Sequence, residues 1–326
     1  MRVKILGMLG LGIVFISSGL TADKKAKDEQ TIRVQVDMVS LPVVVTDKLG
    51  RRITDLKQEN FQVFEDGVQQ EIAGFAATDE PVNVALTLDT SGSTEAELAK
   101  IQNAAISFVN QLHPDDEVAV ISFSDDVRLQ EDFTIDRDKN EYGIKKTRTG
   151  DCTTLYEAVW LGLEDVLKPI KQRKALVLFT DGVDTCSHKA SSSETLDLAK
   201  ETQATIYCVY YNTEMDPFTK PSAKSILNPY PTIVRGATAS PEEYQVGRKY
   251  LKDLAESSGG LMLDGKSDLN YAFEQIAREL ASQYSIGYYS SNVRNDAKFH
   301  KVQVKVNKPG LVVRTKNGYY QKKNRK

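Results

Sequence analysis

The chain has 326 residues, which exceeds the usual size of one domain, so we expect one large α/β domain with a smaller module. Its hydrophobic fraction of 40% and charged fraction of 27% are ordinary for globular proteins and exclude a largely disordered chain. The formal net charge of −3 gives no field that would attract nucleic acid, and we expect no nucleic-acid partner.

The N-terminus is typical of an export signal. Arg2 and Lys4 precede an apolar run from Ile5 to Ile16, and small residues follow. We therefore expect residues 1–22 to be a signal peptide and the protein to be secreted or periplasmic. The apolar run is too short for a comfortable membrane span, so no integral span is expected after cleavage. An uncleaved N-terminal anchor is the alternative, because Leu20 makes an imperfect cleavage context.

Two segments with the alternation of β-strands lie near the ends of the chain, at residues 31–80 and 285–326. In the first, Asn60 to Glu71 predicts a hairpin with its turn at Asp66-Gly67. Isolated hairpins are marginal in water. We therefore infer that the two segments join into one β-sandwich-like module and that residues 81–284 are inserted between them.

Residues 81–284 alternate short apolar strands with amphipathic helices, which predicts a doubly wound, mostly parallel α/β sheet with helices on both faces. The apolar run from Val82 to Leu88 indicates a central strand. The strands at 117–123 and 127–133 have no room for a crossover helix, so they must be antiparallel. The predicted helices span residues 97–113, 154–167, 192–204, 241–258 and 267–284, and the other strands span 175–179, 205–211 and 261–263.

Oxygen-bearing side chains follow or precede these elements in three loops. Asp89, Ser91 and Ser93 come directly after the first strand, Thr153 precedes a helix, and Asp181 follows a later strand. In a parallel sheet, ligands gather at the carboxyl ends of the strands. Carboxylates and hydroxyls without sulfur or imidazole suit a hard cation such as Mg²⁺ or Mn²⁺ better than Zn²⁺.

The order D-x-S-x-S, a lone threonine before a helix, and T-D-G resembles the metal-ion-dependent adhesion site (MIDAS) of von Willebrand factor type A (VWA) domains. The flanking β segments are similar to those of secreted bacterial proteins related to this family. The resemblance implies that Asp89, Ser91, Ser93, Thr153 and Asp181 hold Mg²⁺ or Mn²⁺, with the hydroxyls as ligands and the two carboxylates acting directly or through water. Relatives often have a glycine pair where this chain has Asp151-Cys152.

The function implied by this resemblance is non-enzymatic adhesion. Only two carboxylates balance the charge of the dication, so the metal stays electrophilic. A Glu or Asp of a protein partner can then replace a water on the metal. One alternative is an enzyme of the phosphoryl-transfer class in which Asp89 attacks phosphate, although such phosphatases normally have a second Asp where this chain has Ser91. A structural or assembly protein of the envelope is the other alternative. We expect Asp184 to cap a loop and His188 to be a surface residue.

The three cysteines lead to a further prediction. Two loops that converge on one ion would bring Cys152 and Cys186 to the same rim, whereas Cys208 lies in an apolar strand. Export would supply an oxidising environment, so we predict a disulfide between Cys152 and Cys186, with three free thiols as the alternative. The aperiodic stretch Asn212 to Ala239 is predicted to shape partner choice, with a tolerated surface insertion as the alternative.

Overall fold

The computed structural model describes residues 38–77, 80–211, 239–265, 268–292 and 298–320, which lie in one compact unit of the chain. The expected signal peptide at residues 1–22 lies outside the described residues, as does almost all of the stretch from Asn212 to Ala239. Within the described ranges, no helix combines the length and the apolar character needed to cross a membrane.

The described residues form fourteen strands and six α-helices. The strands are β1 (Val39–Asp47), β2 (Phe61–Glu65), β3 (Val68–Gln70), β4 (Ile72–Ala76), β5 (Val82–Asp89), β6 (Glu117–Phe123), β7 (Val127–Thr134), β8 (Arg173–Thr180), β9 (Thr205–Tyr210), β10 (Met262–Asp264), β11 (Tyr284–Tyr288), β12 (Phe299–Val306), β13 (Leu311–Arg314) and β14 (Gly318–Tyr320). The helices are α1 (Leu98–Gln111), α2 (Arg137–Lys146), α3 (Leu155–Trp160), α4 (Ser192–Glu201), α5 (Pro241–Ser258) and α6 (Leu269–Leu280). A π-helical segment, Leu161–Leu167, continues α3.

The central sheet has six strands in the order β10-β9-β8-β5-β6-β7. Neighbouring strands are parallel except for the β6-β7 pair, which is antiparallel as predicted. Every residue of β5 is buried, because helices cover both faces of the sheet. Helices α1 and α6 pack on one face, and α3, α4 and α5 pack on the other. The predicted doubly wound α/β fold is therefore confirmed.

Two parts of the sequence prediction differ from the structure. Helix α2 was not predicted: its buried residues are Asn140, Gly143 and Ile144, so it presents no long apolar stripe. Its start is nevertheless marked by Asp136, whose side chain accepts backbone N–H bonds from the first turn. The last helix was predicted to continue to Tyr284, but α6 ends at Leu280 and Tyr284 begins β11.

A second body, which we call the β module, is built from both flanking segments. One of its sheets has the order β13-β1-β11-β4 and the other β14-β12-β2-β3. The first half of β1 pairs with β11 and the second half with β13, while β2 pairs with β12. Their inward side chains share one apolar core, with Leu41, Val63, Tyr284, Ile286 and Val302 among its buried members. Residues from the two ends of the chain thus stabilise the same module.

Candidate metal centre

The centre of the six-stranded sheet contains a topological switch point. Strand β5 lies between β6 and β8, and the chain leaves β5 towards β6 but leaves β8 towards β9 on the other side. Loops that depart in opposite directions open a crevice at the carboxyl ends of the two strands, where α/β proteins bind ligands. Asp89 is the last residue of β5, and Asp181 follows the last residue of β8. The fold therefore brings two carboxylates to this crevice from separate strands.

Three of the predicted ligands form a continuous run of oxygen atoms. The Oγ atoms of Ser91 and Ser93 lie 3.1 Å apart, and the Ser93 hydroxyl donates to Oδ2 of Asp181 at 3.3 Å. Magnesium binds six oxygens in an octahedron at about 2.0–2.1 Å, which places neighbouring ligand oxygens about 3 Å apart. The spacing of these atoms is therefore close to the edge of such an octahedron, and the donor set fits a small hard cation.

Asp89 lies at the bottom of the crevice with no exposed surface. Its Oδ1 accepts the backbone N–H of Ser91 at 2.9 Å, and its Oδ2 accepts the hydroxyl of Thr180 at 2.6 Å. Burial, followed by the negative charge of Asp181, raises the pKa of Asp89 to about 7. A divalent cation between the two carboxylates would offset both effects.

Thr153 reaches the crevice on the loop before α3. Its N–H donates to the hydroxyl of Thr185, and its carbonyl accepts the N–H groups of Thr185 and Cys186. The N–H of Gly150 on the same loop donates to the carbonyl of Thr90 in the first loop. These backbone bonds hold Thr153 between the loops of Asp89 and Asp181.

A disulfide connects the two outer loops, as predicted. Cys152 and Cys186 are bonded, with their Cα atoms 6.0 Å apart, and Cys208 is a buried thiol in β9. The bond joins the residue before Thr153 to the loop that contains Asp181. Both loops are therefore linked covalently as well as by hydrogen bonds.

Asp184 and His188, which lie near the centre, are found as predicted: Asp184 is a cap and His188 is a surface residue. The Oδ2 of Asp184 accepts the N–H of Tyr156 at the start of α3 and the hydroxyl of Ser187, so Asp184 caps the helix that follows Thr153. His188 is exposed, and its N–H donates to Glu157 at the rim. Neither side chain joins the run of oxygen atoms.

The structure also shows supporting residues that were not predicted. Thr180 holds Asp89 and also accepts the N–H of Gly182. Gly182 has φ +83°, and a Cβ there would lie 2.7 Å from the backbone of Gly247 in α5. The T-D-G pattern contained a signal for both residues, since its threonine and glycine flank the ligand directly. Gly247 gave no such signal, because its role depends on how α5 packs.

A doubly wound sheet with hydroxyls and carboxylates clustered at its switch point is an arrangement that can hold a hard cation. Residues 84–183 match the family model described as the von Willebrand factor type A domain. This match identifies a VWA domain within residues 84–183, which include all five predicted metal ligands. The match supports a metal-dependent protein-binding module with a MIDAS-type metal site.

Several solved structures have a similar fold. A von Willebrand factor type A protein from Catenulispora acidiphila is 11% identical with a TM-score of 0.47, covering 89% of this chain and 74% of that one. The conserved hypothetical protein BatB from Bacteroides thetaiotaomicron is 17% identical with a TM-score of 0.45, covering 61% and 97% respectively. Proximal thread matrix protein 1 from the mussel byssus, with a zinc-occupied MIDAS motif, is 16% identical with a TM-score of 0.45, covering 65% and 48%. No curated protein sequence matches the chain.

Proposed function

We propose that this chain is a secreted or periplasmic bacterial binding protein whose VWA domain holds Mg²⁺ or Mn²⁺ and uses the ion to capture a glutamate or aspartate side chain of a protein partner. Ser91, Ser93 and Thr153 would supply hydroxyl ligands. Asp89 and Asp181 would act directly or through water, and the partner's carboxylate would take a remaining position on the metal. No step of covalent chemistry is required of the chain.

The observation that carries this proposal is the run of oxygen atoms from Ser91 through Ser93 to Asp181 at the switch point. Ser93 is exposed, whereas Asp89, Ser91 and Asp181 are buried, so the cluster reaches solvent at Ser93. Two carboxylates balance a dication without giving it excess negative charge. An external carboxylate approaching from the solvent side would therefore be attracted to the ion.

The position of Asp89 supports binding over phosphoryl transfer. A nucleophilic carboxylate needs an accessible oxygen, but Asp89 has no exposed surface and each of its oxygens already accepts a hydrogen bond. The residue two positions on, Ser91, belongs to the oxygen run and provides no second carboxylate.

The Cys152–Cys186 disulfide supports export, because such bonds persist in oxidising compartments and are rare in the cytosol of mesophiles. The apolar run after Arg2 and Lys4 supports the same location. Mass spectrometry of the protein from a periplasmic or culture-medium fraction would test this part of the proposal. Recovery of the reduced chain from the cytosol alone would contradict it.

Titration with Mn²⁺, followed by the loss of the free-ion electron paramagnetic resonance signal, tests the metal site. Wild type is expected to bind one Mn²⁺ that Mg²⁺ displaces, and Asp181→Ala and Ser93→Ala are expected to weaken binding at least tenfold. Asp151→Ala is the matched control, since Asp151 is an exposed acid on the neighbouring loop outside the oxygen run. Equal affinities for wild type and Asp181→Ala would reject the site.

The capture step has its own measurement. Bound Mn²⁺ speeds the relaxation of water protons, and a carboxylate that replaces a water should reduce this effect. A peptide containing one glutamate is expected to lower the relaxation rate of the Mn²⁺-loaded protein, whereas the same peptide with glutamine should leave it unchanged. Equal effects of the two peptides would contradict capture through the metal.

A further inference from the structure

The β module contains a second cluster of metal-ligating groups, remote in the fold from the switch point of the six-stranded sheet. Glu65 is the last residue of β2, Asp66 begins the turn to β3, and His300 lies in β12 beside them. One ligand atom from each side chain lies within 4.8 Å of the others. We propose that Glu65, Asp66 and His300 form a binding site for a divalent transition metal of the zinc type.

The distances suit tetrahedral coordination. Nδ1 of His300 is 2.8 Å from Oδ2 of Asp66 and 3.7 Å from Oε1 of Glu65. Zinc bonds of about 2.0–2.1 Å in a tetrahedron place neighbouring ligand atoms about 3.3 Å apart, between these two values. A small adjustment of the Asp66 side chain, which is 42% exposed, would lengthen its separation from His300 towards the tetrahedral value, and a water could take the fourth position.

The outer oxygens of both carboxylates are already held by donors. Oε2 of Glu65 accepts the hydroxyls of Tyr288 at 2.7 Å and Tyr319 at 3.0 Å, and Oδ1 of Asp66 accepts the N–H of Lys301 at 2.9 Å. Oε1 of Glu65, the oxygen near His300, also accepts the hydroxyl of Ser290 at 2.6 Å and keeps a second lone pair for a metal. Hydrogen bonds of this kind fix the orientation of ligands in known metal sites.

Charge also favours a cation at this position. Two carboxylates approach Nδ1 of His300. A dication at this position would compensate the charges of both. Because imidazole nitrogen is a ligand here, we expect Zn²⁺ or Co²⁺ to be preferred over Mg²⁺, unlike at the oxygen-only site of the VWA domain.

Occupation of this site would strengthen the β module. Glu65 and His300 belong to the sheet that contains β2 and β12, while Tyr288 belongs to β11 of the facing sheet. A metal would therefore fix the Asp66 turn and the position of Glu65, which connects the two sheets through its hydrogen bond to Tyr288. The inference does not depend on partner capture by the VWA domain.

Titration of the full chain with Co²⁺ tests the proposal, because four-coordinate Co²⁺ absorbs visible light much more strongly than octahedral Co²⁺ in an all-oxygen site. Wild type and Asp181→Ala are expected to give the same strong visible bands at one equivalent, reversed by Zn²⁺ but not by Mg²⁺. Asp66→Asn should weaken Co²⁺ binding at least tenfold, and His300→Gln should abolish the bands.

Asp66→Asn keeps the test independent of folding failure. Asp66 has φ +50°, a conformation that asparagine tolerates as well as aspartate, so the turn should be retained. Zn²⁺ is expected to raise the melting temperature of wild type but not that of Asp66→Asn. Absence of strong bands in wild type, or equal bands and equal Zn²⁺ stabilisation in the Asp66→Asn variant, would overturn the proposal. Loss of the bands in Asp181→Ala alone would assign the Co²⁺ to the VWA site and would also overturn it.

Discussion

At the scale of single residues, Thr180 shows how one hydroxyl serves two parts of the metal centre. It donates to the buried carboxylate of Asp89 and accepts the N–H of Gly182 in the loop that presents Asp181. A buried carboxylate without donors would favour its protonated form and lose its ability to support a cation. The hydroxyl therefore stabilises the charged state of one acidic residue and the position of the other.

A second buried residue gives a prediction about pH. Lys316 is 2% exposed, and its Nζ donates to the carbonyl of Thr202 at 3.3 Å. Burial lowers the pKa of Lys316 from 10.5 to about 8. Above pH 8 the folded chain releases this proton while the unfolded chain keeps it up to about pH 10.5, so stability rises with pH in this window.

The variant Lys316→Met should remove this dependence. Between pH 8 and 10.5, we expect the unfolding free energy of wild type to increase by about 3 kcal/mol relative to that of Lys316→Met. Below pH 8 the difference should be constant, with the variant more stable because no charge is buried. Urea unfolding of both proteins at a series of pH values measures it, and parallel curves across the window would contradict the prediction.

At the scale of elements, three loops with little regular structure form the metal centre, and their order depends on their connections. The Gly150–Thr90 and Thr153–Cys186 backbone bonds join neighbouring loops in pairs. The disulfide adds a link that closes a loop with a sequence separation of 34. Such loops have to be aligned before an ion can bind them all, so we expect the disulfide to contribute to metal affinity.

Replacement of Cys152 and Cys186 by alanine is predicted to lower the unfolding free energy by about 2 to 4 kcal/mol, the usual effect of removing a disulfide that closes a loop of this length. The replacement should also weaken Mn²⁺ binding severalfold, because the ion must then order two loops that the disulfide no longer joins. Reducing agent should reproduce both effects in wild type and have none in the double variant. Unchanged Mn²⁺ affinity would show that the hydrogen bonds alone align the loops.

The elements that the sequence predicted correctly are those whose pattern is dictated by the core. The run from Val82 to Leu88 had to be a buried central strand, and the short connection after β6 had to give an antiparallel neighbour. Helix α2 was missed because it packs through few buried residues. The close approach of Gly182 and Gly247 was not predictable, since it follows from the packing of α5 against a distant loop.

At the scale of the whole molecule, polar contacts connect the VWA domain to the β module. Arg314 of β13 forms an ion pair with Glu279 near the end of α6 and donates to the carbonyl of Gly259 after α5. Arg52 donates to the carbonyl of Gln275 in α6. Because α6 leads directly into β11, the two bodies share a continuous stretch of chain as well as these contacts. We therefore expect them to unfold together.

The ion pair gives a test of this coupling. Glu279 is 3% exposed, so Arg314→Met would leave a buried carboxylate without its cation and should cost roughly 3 to 5 kcal/mol of unfolding free energy. Glu279→Gln should be less harmful, because the remaining charge belongs to Arg314, which is partly exposed. The double variant should recover a substantial part of the loss, since it buries no uncompensated charge. Urea unfolding followed by Trp160 fluorescence, which reports on the VWA domain, and by circular dichroism of the whole chain should give coincident transitions in all four proteins. Additive losses in the double variant, or separate transitions in wild type, would show that Arg314 and Glu279 do not couple the two bodies.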